Sequence, residues 1–174
     1  MIESNSLFGT NELVLKKKIL SVREHYDIED RKGNKLGEAE GNFIQLPAKF
    51  TVRDSAGSEL VRIEGRLISF RTEFAFHDST GSSIGTIKKK LVKLVGEEFW
   101  VEREGKEYMR IYGNFTEHDY RFEVNKTEVA RVHRNWVSVR DTLNLSLTGD
   151  ADHRLTLGAL IVIEHIEVTE RKNN

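Results

Sequence analysis

The sequence contains no cysteine. That excludes disulfides, thiolate metal sites, cysteine nucleophiles and palmitoyl anchors together. Proline is nearly absent, with Pro47 alone, which argues against disordered linkers. Net charge is also lacking, since 27 lysines and arginines face 28 acidic residues. A nucleic-acid binder or an acidic solvating tail is therefore not indicated by overall charge, and any electrostatic role must come from local patches. No long apolar run occurs. The most apolar stretch, Leu155 to Ile163, falls far short of the roughly 20 residues that cross a bilayer, so no transmembrane segment is expected. Met1 to Thr10 is polar and lacks a basic start followed by an apolar stretch, so no secretory signal is read there. The expected location is the cytoplasm, with peripheral association at a membrane. The 174 residues suit one domain spanning 1–174, with short flexible ends at about 1–10 and 168–174.

What is present is a repeat. The segments Tyr26 to Gly33, Phe50 to Gly57 and Phe74 to Gly81 read alike. Asp30, Asp54 and Asp78 stand 24 residues apart, and so do Gly33, Gly57 and Gly81. A fourth copy keeps the step with Glu102 and Gly105, and a fifth, Tyr120 to Val132, turns at Asn125-Lys126. Ahead of each turn apolar and polar residues alternate, as in Phe50 and Val52 or Phe74 and Phe76, the mark of a strand with one buried face. Asp-x-x-Gly is turn chemistry. The aspartate accepts bonds from backbone N–H groups ahead of it, and the glycine supplies a positive φ. Each repeat is thus one hairpin, closed by a type I turn with a glycine bulge. An EF-hand would need further oxygen ligands at fixed positions, and these turns lack them. A lone hairpin cannot bury its apolar face, and an open sheet of about a dozen strands curls or closes. The expected fold class is mainly β: a closed antiparallel barrel of about twelve strands.

After Leu147 the pattern breaks. Asp150 or Asp152 can cap a helix over about 151–166, in which Leu155, Leu157, Ala159 to Ile163 and Ile166 cover nearly every side. A helix apolar all round is buried or in a membrane. Roughly 14 to 16 residues span about 21 to 24 Å, too short for a bilayer and suited to threading a barrel. Gly158 and Ala159 would let strand side chains approach closely. A buried strand is the competing reading, because Ile161 to Ile163 is β-branched.

These features together resemble the LURP-one-related family. The resemblance rests on the Tyr26–Gly41 hairpin, the spaced Asp-x-x-Gly turns, the Trp136-Val-Ser-Val-Arg-Asp-Thr142 segment and the capped apolar tail. Leu20 to Ile28 is similar to that family's opening strand pair. The similarity runs from about Glu12 to Ile166. It implies the fold of the tubby C-terminal domain and the phospholipid scramblases, a twelve-stranded barrel around a central hydrophobic helix. Tubby-like domains bind phosphoinositides through a basic surface pocket, and none of that pocket's residues is carried over to this sequence. Scramblases carry palmitoylated cysteines, a proline-rich leader and a calcium-responsive segment. This chain has neither the cysteines nor the prolines, and scramblase activity is not expected.

Little chemistry is legible. None of the six histidines has the close spacing of a helical zinc pair, so no metal site and no cofactor is expected. His118-Asp119 has no serine elbow beside it. Gly33, Gly37 and Gly41 fall in a hairpin, not in a phosphate-cradling loop. With no nucleophile–base set, no catalytic residue is named. Glu164, late in the helix, either emerges at the barrel mouth or pairs with an arginine or lysine inside. Two basic clusters remain: Lys16, Lys17 and Lys18, and Lys88, Lys89 and Lys90 with Lys93. Consecutive lysines on a strand cannot all face one side, so at least one of each cluster points inward or lies at a bulge or rim. They read as solvated strand edges or as an anionic-lipid patch, each lysine then contributing on the order of 1 kcal/mol. The expectation is a monomeric, non-enzymatic binding or scaffold module, docking on anionic membrane lipids. The alternatives are a small-ligand carrier with a cavity beside the helix and, less favoured, a nucleic-acid-associated regulator, which would want aromatics among the basic residues.

Overall fold

A computed structural model describes residues 7–20, 23–42, 48–68, 71–92, 96–134, 142–148 and 150–173. Lys93 and Trp136 to Asp141 lie outside the described residues. Twelve strands form: β1 (Glu12–Leu20), β2 (Arg23–Glu29), β3 (Lys35–Asn42), β4 (Lys49–Asp54), β5 (Glu59–Ile68) and β6 (Arg71–Asp78). There follow β7 (Ser83–Val92), β8 (Gly96–Arg103), β9 (Lys106–Asn114), β10 (Asp119–Val124), β11 (Thr127–Arg134) and β12 (Thr142–Leu147). Each pairs antiparallel with its sequence neighbours, and β12 returns to pair with β1, with Leu13 opposite Leu145. The sheet is a closed barrel, so no edge is left unpaired.

The first three aspartate turns form as their chemistry predicts. The Asp30 carboxylate accepts from the N–H groups of Lys32 and Asn34 at 2.8 and 2.9 Å. Asp54 and Asp78 repeat the pattern. Gly33, Gly57 and Gly81 have φ of 84°, 86° and 85°. The fourth turn differs. Glu104 and Gly105 both have positive φ, and Arg103 pairs with Lys106, which makes a two-residue type I′ turn. Glu102 does not cap it; its carboxylate accepts from Lys88 and Trp100 instead. Asn125-Lys126 makes the same kind of two-residue turn.

The apolar tail is a helix, α1 (His153–Asn173). Asp152 is the cap, accepting from the backbone N–H of Arg154 at 3.1 Å. Arg103 fastens that cap to the wall at 2.7 Å. Leu155, Leu157 and every residue from Ala159 to Ile163 are fully buried. A Cβ at Gly158 would stand 3.0 Å from the Phe76 ring, so the absent side chain is what lets wall and helix meet. The helix runs seven residues beyond the expected end at 166, through the segment expected to be a flexible tail. Apolarity stops there, but Glu167, Thr169, Glu170 and Arg171 include good helix formers and no glycine or proline. No helix among the described residues is long and apolar enough to cross a membrane.

Candidate binding surface and the polar mouth of the barrel

Strand direction gives the barrel two different ends. The tight turns and the start of α1 share one end. The other end is the mouth, where the second half of α1 meets β2, β7 and the β9–β10 connection.

The alternation of a strand divides each lysine cluster. Lys16 and Lys18 point outward from β1, with side chains 50% and 58% exposed, while Lys17 points inward at 12%. On β7, Lys88 faces out and Lys89 faces in. Lys90 lies on β7 as well. The inward lysine expected of each cluster is therefore Lys17 and Lys89. β1 and β7 are six strands apart in either direction around the ring, so the clusters occupy opposite walls and do not merge. Each of the five cluster lysines whose side chains are described has a carboxylate partner. On the outer face, Lys16 pairs with Glu29 at 2.7 Å, Lys18 with Asp27, and Lys88 with Glu102 at 2.8 Å. Burial pushes the Asp27 carboxyl up, yet hydrogen bonds from Lys18, His25 and Lys35 outweigh it and hold it well below the usual range.

The inward lysines belong to a polar belt around the second half of α1. Glu24 is 1% exposed and sits on the inward phase of β2 with Tyr26 and Ile28. Its carboxylate takes the Lys17 ammonium at 2.8 Å and bonds His165 of α1 at 3.0 Å. Burial opposes its ionisation, but His165 and Lys17 prevail and hold its pKa below the ordinary value. The His165 ring also stands edge-on to Phe50, with centroids 5.1 Å apart. A few ångströms of helix away, Glu164 bonds His118 and the Tyr120 hydroxyl, each at 3.0 Å. Glu164 therefore stays inside, as one expectation had it, but its partners are a histidine and a phenol, not arginine or lysine. His118 takes a left-handed φ of 55° in the β9–β10 connection, and its ring turns inward to reach Glu164. Burial, then the Glu164 charge, pushes the Tyr120 hydroxyl well above its usual pKa. Lower down, Lys89 bonds Glu97 at 2.8 Å and Glu170 at 2.6 Å, and Arg171 donates to the Thr116 carbonyl at 2.9 Å.

Among the described residues, two groups of side chains have metal-ligand spacing: His25, Asp27 and Glu38, and Glu97, Glu167 and Glu170. In the first, Lys18 and Lys35 already hold Asp27, and Lys35 also holds Glu38. A separate cleft of about 390 Å³ opens at the turn end beside Gly85, Thr86, Glu102 and Arg103.

The family model described as LURP-one-related matches residues 11–164. The chain belongs to the LURP-one-related family. The resemblance drawn from the repeats thus holds over most of the sequence. This LURP-one-related barrel is also similar to the X-ray structure of a protein from Arabidopsis thaliana. That chain is 14% identical, with a TM-score of 0.65 over 90% of this chain and 91% of the other. At that identity the likeness concerns the fold. No curated protein matches the sequence.

Proposed function

We propose that this LURP-one-related domain is a non-catalytic binding module that meets an anionic phospholipid surface end-on, with its mouth toward the bilayer. One observation carries the reading. The lysine clusters lie on opposite walls, yet Lys16 to Lys18 and Lys88 to Lys90 each occupy the middle-to-mouth half of their strands. Only an end-on approach brings both to one flat surface. Lys16 and Lys18, and the partly exposed Lys88, are the groups available to lipid phosphates, because exposed ion pairs are worth only about 0–1 kcal/mol and exchange partners readily. Binding in this reading is weak, peripheral and salt-sensitive. The packed helix supports a surface role over a carrier role, since the residues that would line an inner cavity are fully buried against α1. The carboxylates and imidazoles Glu24, Glu164, His118 and His165 are engaged with one another or with Lys17 and Tyr120, which supports a structural use over a catalytic one.

Flotation with vesicles of phosphatidylcholine, with and without phosphatidylserine, tests the proposal. Binding only to the acidic vesicles, lost at high salt and weakened by K16E/K18E and by K88E, is the expected result. Equal recovery on both vesicle types at low salt would sink it.

A further inference from the structure

At the mouth three carboxylates converge with one of them incompletely satisfied. Glu97 comes from the start of β8, and Glu167 and Glu170 come from successive turns of α1. One oxygen of each lies within 4.8 Å of the others. Glu167 is 7% exposed, and its Oε1 is buried with no hydrogen-bond partner. Buried carboxylate oxygens without a donor are costly and uncommon, and such an oxygen calls for a cation or a proton.

The charge balance points the same way. Lys89 is the one described cation in contact with the group, and it bonds Glu97 and Glu170 while leaving Glu167 without an ion pair. Three ionised carboxylates and one ammonium leave two negative charges. Both α1 residues also lie in the last two turns of their helix, where the negative end of the macrodipole favours a cation. By contrast, the His25, Asp27 and Glu38 group already faces two ammonium groups, Lys18 and Lys35.

We propose that Glu97, Glu167 and Glu170 form a binding site for an oxygen-seeking divalent cation such as Ca²⁺ or Mn²⁺. The donor set is carboxylate oxygen alone, which suits hard cations and not zinc or copper. The ion takes the place of the Lys89 ammonium among the carboxylates. The Lys89 ammonium stands over the Phe99 ring, 5.8 Å from its centroid, and its partner Glu170 is 48% exposed, so the long side chain can swing outward to solvent. Burial, and then the adjacent Glu97, holds the Glu167 carboxyl above its ordinary pKa, so protons compete with the metal in mild acid.

The site stands independently of the lipid reading. Manganese titration of the full chain followed by electron paramagnetic resonance tests it, with Ca²⁺ as competitor. One saturable Mn²⁺ per chain is expected, displaced by Ca²⁺. E167Q and E170Q should each weaken it about tenfold or more, while E104Q at the turn end leaves it unchanged. Should E167Q fail to fold, E170Q decides, because the Glu170 side chain is 48% exposed and its loss leaves the core intact. No saturable Mn²⁺ in the wild type, or saturation of E170Q at the wild-type midpoint, overturns the assignment.

Discussion

The Glu24→Gln substitution probes how much the buried charge pair of the belt contributes to the fold. The substituted glutamine keeps the shape of the side chain and removes its charge, leaving the Lys17 ammonium, only 12% exposed, without its carboxylate. Breaking one partner of a buried pair costs about 3–5 kcal/mol. The lower figure of about 3 kcal/mol applies, because the glutamine can still bond His165 at the position the carboxylate now occupies. For a domain of this size about 1 kcal/mol shifts Tm by about 2–4 °C, so E24Q should melt about 6 to 12 °C below the wild type. Lys17→Met removes the stranded charge, and a linear methionine stem fits where the lysine stem lay. The double variant K17M/E24Q should therefore recover part of the loss, with a coupling of about 1–3 kcal/mol in the mutant cycle. Urea unfolding at neutral pH, followed by circular dichroism, supplies all four stabilities. A loss below about 1 kcal/mol for E24Q, or a cycle that closes without coupling, would refute the claim that the buried Lys17–Glu24 pair stabilises the mouth.

Two further outcomes follow from the same geometry. Glu24 is held below its ordinary value of 4.5, so it stabilises the fold above that value and loses the contribution as pH falls through its lower folded pKa. The stability gap between wild type and E24Q should therefore narrow steadily below about pH 4.5, and a gap that stays constant to the acid limit would contradict the assignment. Leu160, fully buried at the centre of α1, should cost about 2.7–5 kcal/mol when changed to alanine, read from the urea midpoint at unchanged slope.

Those parts of the molecule that depend on neighbours in sequence are the parts the sequence reveals. Asp30 and Gly33 meet within four residues, so their turn is legible in a line of text. Glu102 keeps the repeat spacing yet leaves the turn, because a positive φ at Glu104 permits a tighter hairpin and frees the carboxylate for Lys88. The helix shows itself by apolarity, and its polar continuation past Ile166 does not, because it is ordered against partners and not by pattern. The mouth is hidden for the same reason. His165 and Glu24 are 141 residues apart, and His118 and Glu164 are 46. One signal was there to be used. Lys17 shares the phase of Leu13 and Leu15, and Glu24 that of Tyr26 and Ile28, so both charges fall on the apolar face of their strands. A charge on an inward phase needs a partner inside, and the two are each other's.

The seam of the ring has a consequence for how the molecule is made. Ser146 of β12 donates to Glu12 of β1 across 134 residues, and α1 follows β12. Hairpins can form one after another as the chain leaves the ribosome, but the wall cannot shut until β12 emerges, and its filling comes later still. Twelve strands must therefore wait with their apolar sides facing an empty interval. The inner surface is the last to be sheltered, and a chain stalled before Asp152 would be an adhesive ribbon of hairpins, a natural client for chaperones that shield exposed strands.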